Sequence, residues 1–139
     1  MTNDIPEIVK ITSTDIAKWA DQIDARKLLP VLLRKLINST LKDIKFIDFP
    51  GYDNSQRQGS DGIVDTNSFN AFVPNGKSHW EFGTTQIPKS KADSDYTSKT
   101  RQEESEYKKE HTFIFVTPRK WSNKNTWVEE KKKKINGKT

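Results

Sequence analysis

The chain has 139 residues, 32% of them hydrophobic and 31% charged, which is enough for one modest core under a heavily charged surface and too little for a second domain. A formal net charge of +5 suits a polyanionic partner, although the run Lys131 to Lys134 supplies four of those charges and leaves the remainder nearly neutral. No cysteine is present, which excludes disulfides and thiolate zinc sites, and no apolar run approaches the ~20 residues that span a bilayer, so the expectation is a cytoplasmic protein with no membrane partner.

After an apolar lead, Ile5 to Ile11, the group Thr12-Ser13-Thr14-Asp15 offers an N-cap, and Ile16, Trp19, Ala20 and Ile23 follow at helical spacing. This predicts a first helix to about Asp24. Leu28, Leu29, Leu32, Leu33, Leu36 and Ile37 then repeat at three and four residues, predicting an amphipathic helix over about Ala25 to Ser39, with Pro30 in its first turn, where a missing N–H costs nothing, placing the start near Lys27 to Leu29. Arg26, Arg34 and Lys35 decorate its outer side, for solubility or for phosphate. Ile44 to Phe49 has the β-branched and aromatic content of a strand, ended by Pro50-Gly51, and Tyr52 to Gln58 reads as a polar loop.

Two stretches then organise the chain, Gly59-Ser60-Asp61-Gly62 and Ser78-His79-Trp80-Glu81-Phe82-Gly83. The link between them, Thr66 to Lys77, is rich in Asn, Gly, Pro and Ser, so they read as antiparallel strands, with Ile63 and Val64 behind Asp61 and a turn at Pro74-Asn75-Gly76. Phe72 and Val73 are expected to cover an edge of the core. A period of two sends Trp80 and Phe82 to one face and His79 and Glu81 to the other, with Asp61 opposite Glu81. Two carboxylates on adjacent strands form a minimal site for Mg²⁺ or Mn²⁺, because hard cations take oxygen ligands. The competing reading is one solvated acid per strand on the wet face of a hairpin. Asp65 shares the parity of Asp61, as a third carboxylate or as a cap.

Pro88 to Lys109 predicts a helix with a thin stripe of Ala92, Tyr96, Thr100, Glu103 and Tyr107. Thr112 to Val116 is apolar on both faces, the pattern of a central strand in a covered sheet, and Thr117-Pro118 ends it. Asn123 to Ile135 predicts a closing helix that places Lys131 to Lys134 at its negative end. The order ααβββαβα implies an α/β (α+β) fold with a mixed four-stranded sheet flanked by helices. There is no phosphate-cradling glycine motif, and neither Ser60 nor Ser78 lies in a nucleophile elbow.

This order, with an acid on the second and third strands, resembles the PD-(D/E)XK restriction-endonuclease core. More narrowly, Arg26-x-x-x-Pro30-x-Leu32-x-Arg34-x-Leu36-Ile37, Gly59-x-Asp61-Gly62, Val73-Pro74-x-Gly76-x-Ser78-x-Trp80-Glu81, Lys91-Ala92-x-x-Asp95-Tyr96 and Phe115-Val116-Thr117-Pro118-Arg119-x-Trp121 resemble nuclease domains at the N-termini of large bacterial anti-phage proteins, including STAND-type ATPases. The resemblance implies a core of about residues 25–127, an N-terminal helical extension over 1–24, and a lysine-rich segment over 128–139 leading into a longer parent. It implies metal-dependent cleavage of DNA, double-stranded, switched on when an attached C-terminal sensor or ATPase portion assembles the chain into a homo-oligomer. Asp61 and Glu81 would hold Mg²⁺ or Mn²⁺. The family's E-x-K would put lysine at position 83, where this chain has Gly83, so either the lysine has migrated or catalysis is impaired. Lys91, early in the third helix, is the candidate and Lys89 its competitor, while an ordinary i, i+4 pair with Asp95 is the other reading of Lys91. Gln86, His79, Asp95 and Tyr96 are candidate supporting residues, and Arg26, Arg34, Lys89 and Arg119 candidate DNA contacts. The alternative is a catalytically silent nuclease-fold module that binds nucleic acid or mediates assembly.

Overall fold

The structure, a computed structural model, describes residues 10–51, 60–102 and 111–136. Helices α1 (Ser13–Trp19) and α2 (Ala25–Thr40) precede strands β1 (Ile44–Asp48), β2 (Gly62–Thr66) and β3 (Gly76–Phe82). Helix α3 (Pro88–Gln102), strand β4 (His111–Val116) and helix α4 (Lys124–Asn136) complete the chain. The strands form one open mixed sheet in the order β1-β2-β3-β4. The first three make an antiparallel meander, and β4 returns parallel to β3, which requires a crossover that α3 supplies.

Alternation along β3 decides which layer lies on which face. Trp80 joins Val64 of β2, Ile37 and Leu41 of α2, Phe49 and Val73 in the main core, with Ile44, Ile47, Phe82, Ile114 and Val116 packed around it. Phe49 meets Trp80 edge to face at 5.5 Å between ring centroids. His79 and Glu81 point the other way, as do Phe113 and Phe115, their partners in register on β4. The stripe of α3 closes over this second face. Ala92 is fully buried, and the Tyr96 ring stands edge-on to Phe113 at 5.5 Å and to Trp127 of α4 at 5.8 Å.

The structure corrects several sequence expectations. Helix α1 ends at Trp19, not near Asp24, because Arg119 donates to the carbonyls of Ala17 and Ala20 at its C-terminal end and the chain turns there. Helix α2 starts at Ala25, since the Asp24 carbonyl accepts from both Lys27 and Leu28, so Pro30 lies in the second turn, not the first. Strand β4 is an edge strand, not a central one: its faces are covered, but among the described residues only β3 pairs with it. Phe72 is 84% exposed and only its neighbour Val73 enters the core. The link between β2 and β3 turns at Asn70 to Val73, not at Pro74-Asn75-Gly76: the Asn70 N–H donates to the Val73 carbonyl and Asn70 Oδ1 accepts the N–H groups of Phe72 and Val73, while Gly76, at φ 87°, already pairs with Thr66 at the start of β3. The expected loop Tyr52 to Gln58, Gly59, the apolar lead through Val9, and the end of the third helix with Glu103 and Tyr107 lie outside the described residues.

Gly62 is explained by packing. A Cβ on it would lie 2.0 Å from Phe49 Cδ1 and Cε1, inside the ring that fills the core beneath β2. Gly62→Ala is therefore expected to lower the free energy of unfolding by about 1–3 kcal/mol, read as a lower urea midpoint, because the ring must shift in a filled core. An unchanged midpoint would mean that this core is loosely packed.

Candidate functional site

The ladder between β2 and β3 brings the two acids together. Gly62 pairs with Trp80, so Asp61, one residue earlier, comes opposite Glu81, and Asp61 Oδ2 accepts the Phe82 N–H at 2.9 Å. That bond fixes Asp61 to the C-terminal end of β3. The wet-face reading of this pair does not hold, since Glu81 is only 5% exposed under α3.

Burial, then the Asp61 charge and a hydrogen bond between the two carboxyl groups, push the Glu81 carboxyl up to about 8, against a smaller opposing effect of Lys99. Glu81 Oε1 receives no hydrogen bond, and Lys99 Nζ stands 3.5 Å from it. Asp95 on α3 belongs to the same electrostatic group: burial raises its carboxyl above the ordinary range, with Asp61 adding to that and Lys91 opposing it.

Lys91 projects from α3 onto this site. Its Nζ donates to both Asp95 oxygens, at 2.6 and 2.7 Å, and the pair is partly buried. Its stem runs across position 83: a Cβ there would lie 2.8 Å from Lys91 Cγ and 2.9 Å from Phe115 Cζ. Gly83 leaves the room that the Lys91 stem occupies. Lys89, the competitor, is exposed and paired with Asp93 at 2.8 Å.

The remaining candidates divide. His79 is buried on the Glu81 face, with Nδ1 2.8 Å from Ser60 Oγ and its ring 5.1 Å from that of His111. Burial, with the charges of His111, Lys99 and Lys77, pulls its pKa down to about 4, so it is neutral near pH 7. Gln86 is exposed in the connection between β3 and α3. Tyr96 packs away from the acids, between Phe113 and Trp127 with the Lys131 ammonium 5.2 Å from its ring centre. Asp65 pairs in register with Lys77 at the far end of β2, which separates it from Asp61. Arg26 and Arg34 are exposed on α2, the helix of the opposite face. Arg119 is taken up internally: besides the α1 carbonyls it donates to the Thr84 carbonyl at 2.9 Å and pairs with Asp21 at 2.7 Å.

Sequence reasoning missed Lys99. The signal was present, since Lys91, Asp95 and Lys99 recur at four-residue intervals and so share one face of α3 with alternating charge. The Ser60–His79 bond had no such signal, because it depends on the register between a pre-strand residue and β3.

Compared with models of protein families, with curated proteins and with solved structures, the chain finds no match in any of the three. Among the described residues no helix is long and apolar enough to cross a membrane.

The Glu81 shift makes stability depend on pH with a definite sign. Between its unfolded value near 4.5 and its folded value near 8 the folded chain holds the proton more tightly, so stability falls as pH rises through that window. His79 acts oppositely between about 4 and 6.5, where the unfolded chain binds the extra proton and stability rises with pH. The clean interval is pH 6.5 to 8. Urea unfolding there is expected to show a loss of roughly 1 kcal/mol in the wild type and a flat or slightly rising profile in Glu81→Gln. A wild-type profile as flat as the variant's would show that Glu81 ionises normally.

Proposed function

We propose that this chain is a metal-dependent DNA endonuclease domain with a restriction-endonuclease-like core, the effector portion of a longer bacterial anti-phage defence protein. The observation that carries the reading is the meeting of Asp61 and Glu81 beside Lys91, whose stem fills the space over Gly83 where the E-x-K lysine of that family would begin. The residues fit Mg²⁺ or Mn²⁺. Both cations take carboxylate oxygens, and Glu81 Oε1 is a buried acceptor that receives no hydrogen bond. Asp61 and Glu81 would hold the ion, which when bound supplies Lewis-acid polarisation of a phosphate oxygen and a more acidic water. Among the described residues no three His, Asp or Glu side chains are grouped to hold an ion by themselves, so substrate and water would supply further oxygens.

The chain's own groups do the rest in this reading. Asp95 orients the Lys91 ammonium at the strand ends, and an arriving phosphate competes with Asp95 for it. Neutral His79 adds no further cation to Lys91 and Lys99 beside the acids near pH 7. Exposed Arg26, Arg34 and Lys89 are available to the phosphates of double-stranded DNA, while Arg119 serves the frame. The sensor or ATPase portion of the parent and assembly into a homo-oligomer supply the trigger. One observation favours the alternative, a catalytically silent module for nucleic-acid binding or assembly: Lys91 is held by both oxygens of its own aspartate, and position 83 carries no side chain.

The test is incubation of plasmid DNA with the full-length parent protein and Mg²⁺. Glu81→Gln and Asp61→Asn are each expected to slow cleavage by about 10²-fold or more while the cooperative melt is retained. Full cleavage by either folded variant would remove that residue from the mechanism. Lys91→Ala is expected to lose cleavage and Lys89→Ala to keep it, and the reverse result would exchange their roles. DNA affinity should fall steeply as salt rises, because Lys and Arg contacts release counterions, and a salt-independent affinity measured by fluorescence anisotropy would favour the assembly reading.

A further inference from the structure

Lys99 lies two turns beyond Lys91 on α3, with only 12% of its side chain exposed and its Nζ 3.5 Å from Glu81 Oε1. The other two lysines early in this helix each pair with an aspartate four residues on, Lys89 with Asp93 and Lys91 with Asp95. Lys99 instead reaches across to the sheet. The buried carboxylate oxygen it faces receives no hydrogen bond, so the two are held by charge and the acceptor capacity of Oε1 is not filled. The negative charge there is not local to Glu81, since Asp61 and Asp95 both act on it. Lys99 is thus a largely buried cation set against a group of three acids, with Lys91 already committed to one of them.

Resting on the metal-dependent reading above, we propose that Lys99 is a built-in counter-cation of the Asp61–Glu81 pair, holding it together in the metal-free protein and opposing the divalent ion that binds there. The two effects have opposite signs. Without metal, the ammonium offsets part of the repulsion between acids that the sheet register forces together, which stabilises the seating of α3 on the sheet. With metal, the same ammonium repels the incoming ion. A proton competing for Glu81 is repelled too, but it carries one charge against the metal's two, so removal of Lys99 favours the metal on balance. Lys99 is a positioning residue in this scheme, acting through Glu81 and not on substrate. A lysine that merely filled space beneath α3 would show the first effect without the second.

The experiment is calorimetric titration of Mn²⁺ alone into the wild-type chain, Lys99→Met, Lys99→Arg and Glu81→Gln, with urea unfolding of each in the absence of metal. Lys99→Met is expected to be less stable without metal yet to bind Mn²⁺ about tenfold more tightly. Lys99→Arg, which keeps the charge, should stay near wild type in both, and Glu81→Gln should lose the binding. If the wild type binds Mn²⁺ through Glu81 while Lys99→Met binds equally or more weakly, the role of Lys99 is overturned and the metal site stands. If neither the wild type nor Lys99→Met binds, the metal site and the role of Lys99 fall together. Should Lys99→Met fail to fold, Lys99→Gln, which keeps much of the length and a polar end, is read against the same two outcomes.

Discussion

A carboxyl group buried at the end of β3 is the constraint to which the second layer of this fold answers. An ionised carboxylate taken out of water costs several kcal/mol unless it is paired, hydrogen-bonded or protonated. Glu81 meets that requirement in part through each route: a hydrogen bond with the Asp61 carboxyl, a lysine from the helix above, and a hold on its proton that burial strengthens. The alternation that makes Trp80 a core residue fixes Glu81 on the other face, so the acid cannot be moved to solvent without undoing the packing of Trp80 against Phe49. Helix α3 is the consequence. Its apolar stripe is short, buried Ala92 and half-buried Tyr96, and the face beside it carries the charges Lys91, Asp95 and Lys99 that match the acids below.

The parts of the fold legible in the sequence were those written in short-range periodicity. The leucine repeat of α2, the alternation of β3 and the proline-led start of α3 each report on neighbours a few residues apart, and the element order followed from them. The pairing of Asp61 with Glu81 was legible for the same reason, because a polar link between two short strands leaves few registers. What the pattern could not carry were contacts set by distant chain. Whether Thr112 to Val116 lay inside the sheet or at its edge depends on which strand it joins, and apolarity on both faces is satisfied equally by a covered edge. Pro30 was misplaced because the helix start is fixed by the Asp24 carbonyl one turn earlier, a local bond without a strong residue signature.

Gly83 shows how an apparent defect in a motif changes meaning once neighbours are known. Read along the chain, it is a missing lysine. In three dimensions it is a clearance: the stem of Lys91 and the rim of Phe115 occupy the volume that any side chain at 83 would need. The same residue therefore removes one route for a cation to the strand end and opens another from the helix above.

Arg119 gives the N-terminal segment a standing that its sequence did not suggest. Its guanidinium holds the Ala17 and Ala20 carbonyls and Asp21 on one side and, through Nε, the Thr84 carbonyl on the other, so the first helix is tied to the connection that leads from the acid pair into α3. A domain boundary drawn just before residue 25 would strip that largely buried cation of its partners on one side and leave it facing the very connection that sets the height of Lys91 above the sheet. Shortening the chain there is thus a perturbation of the site's ceiling and not the trimming of an appendage.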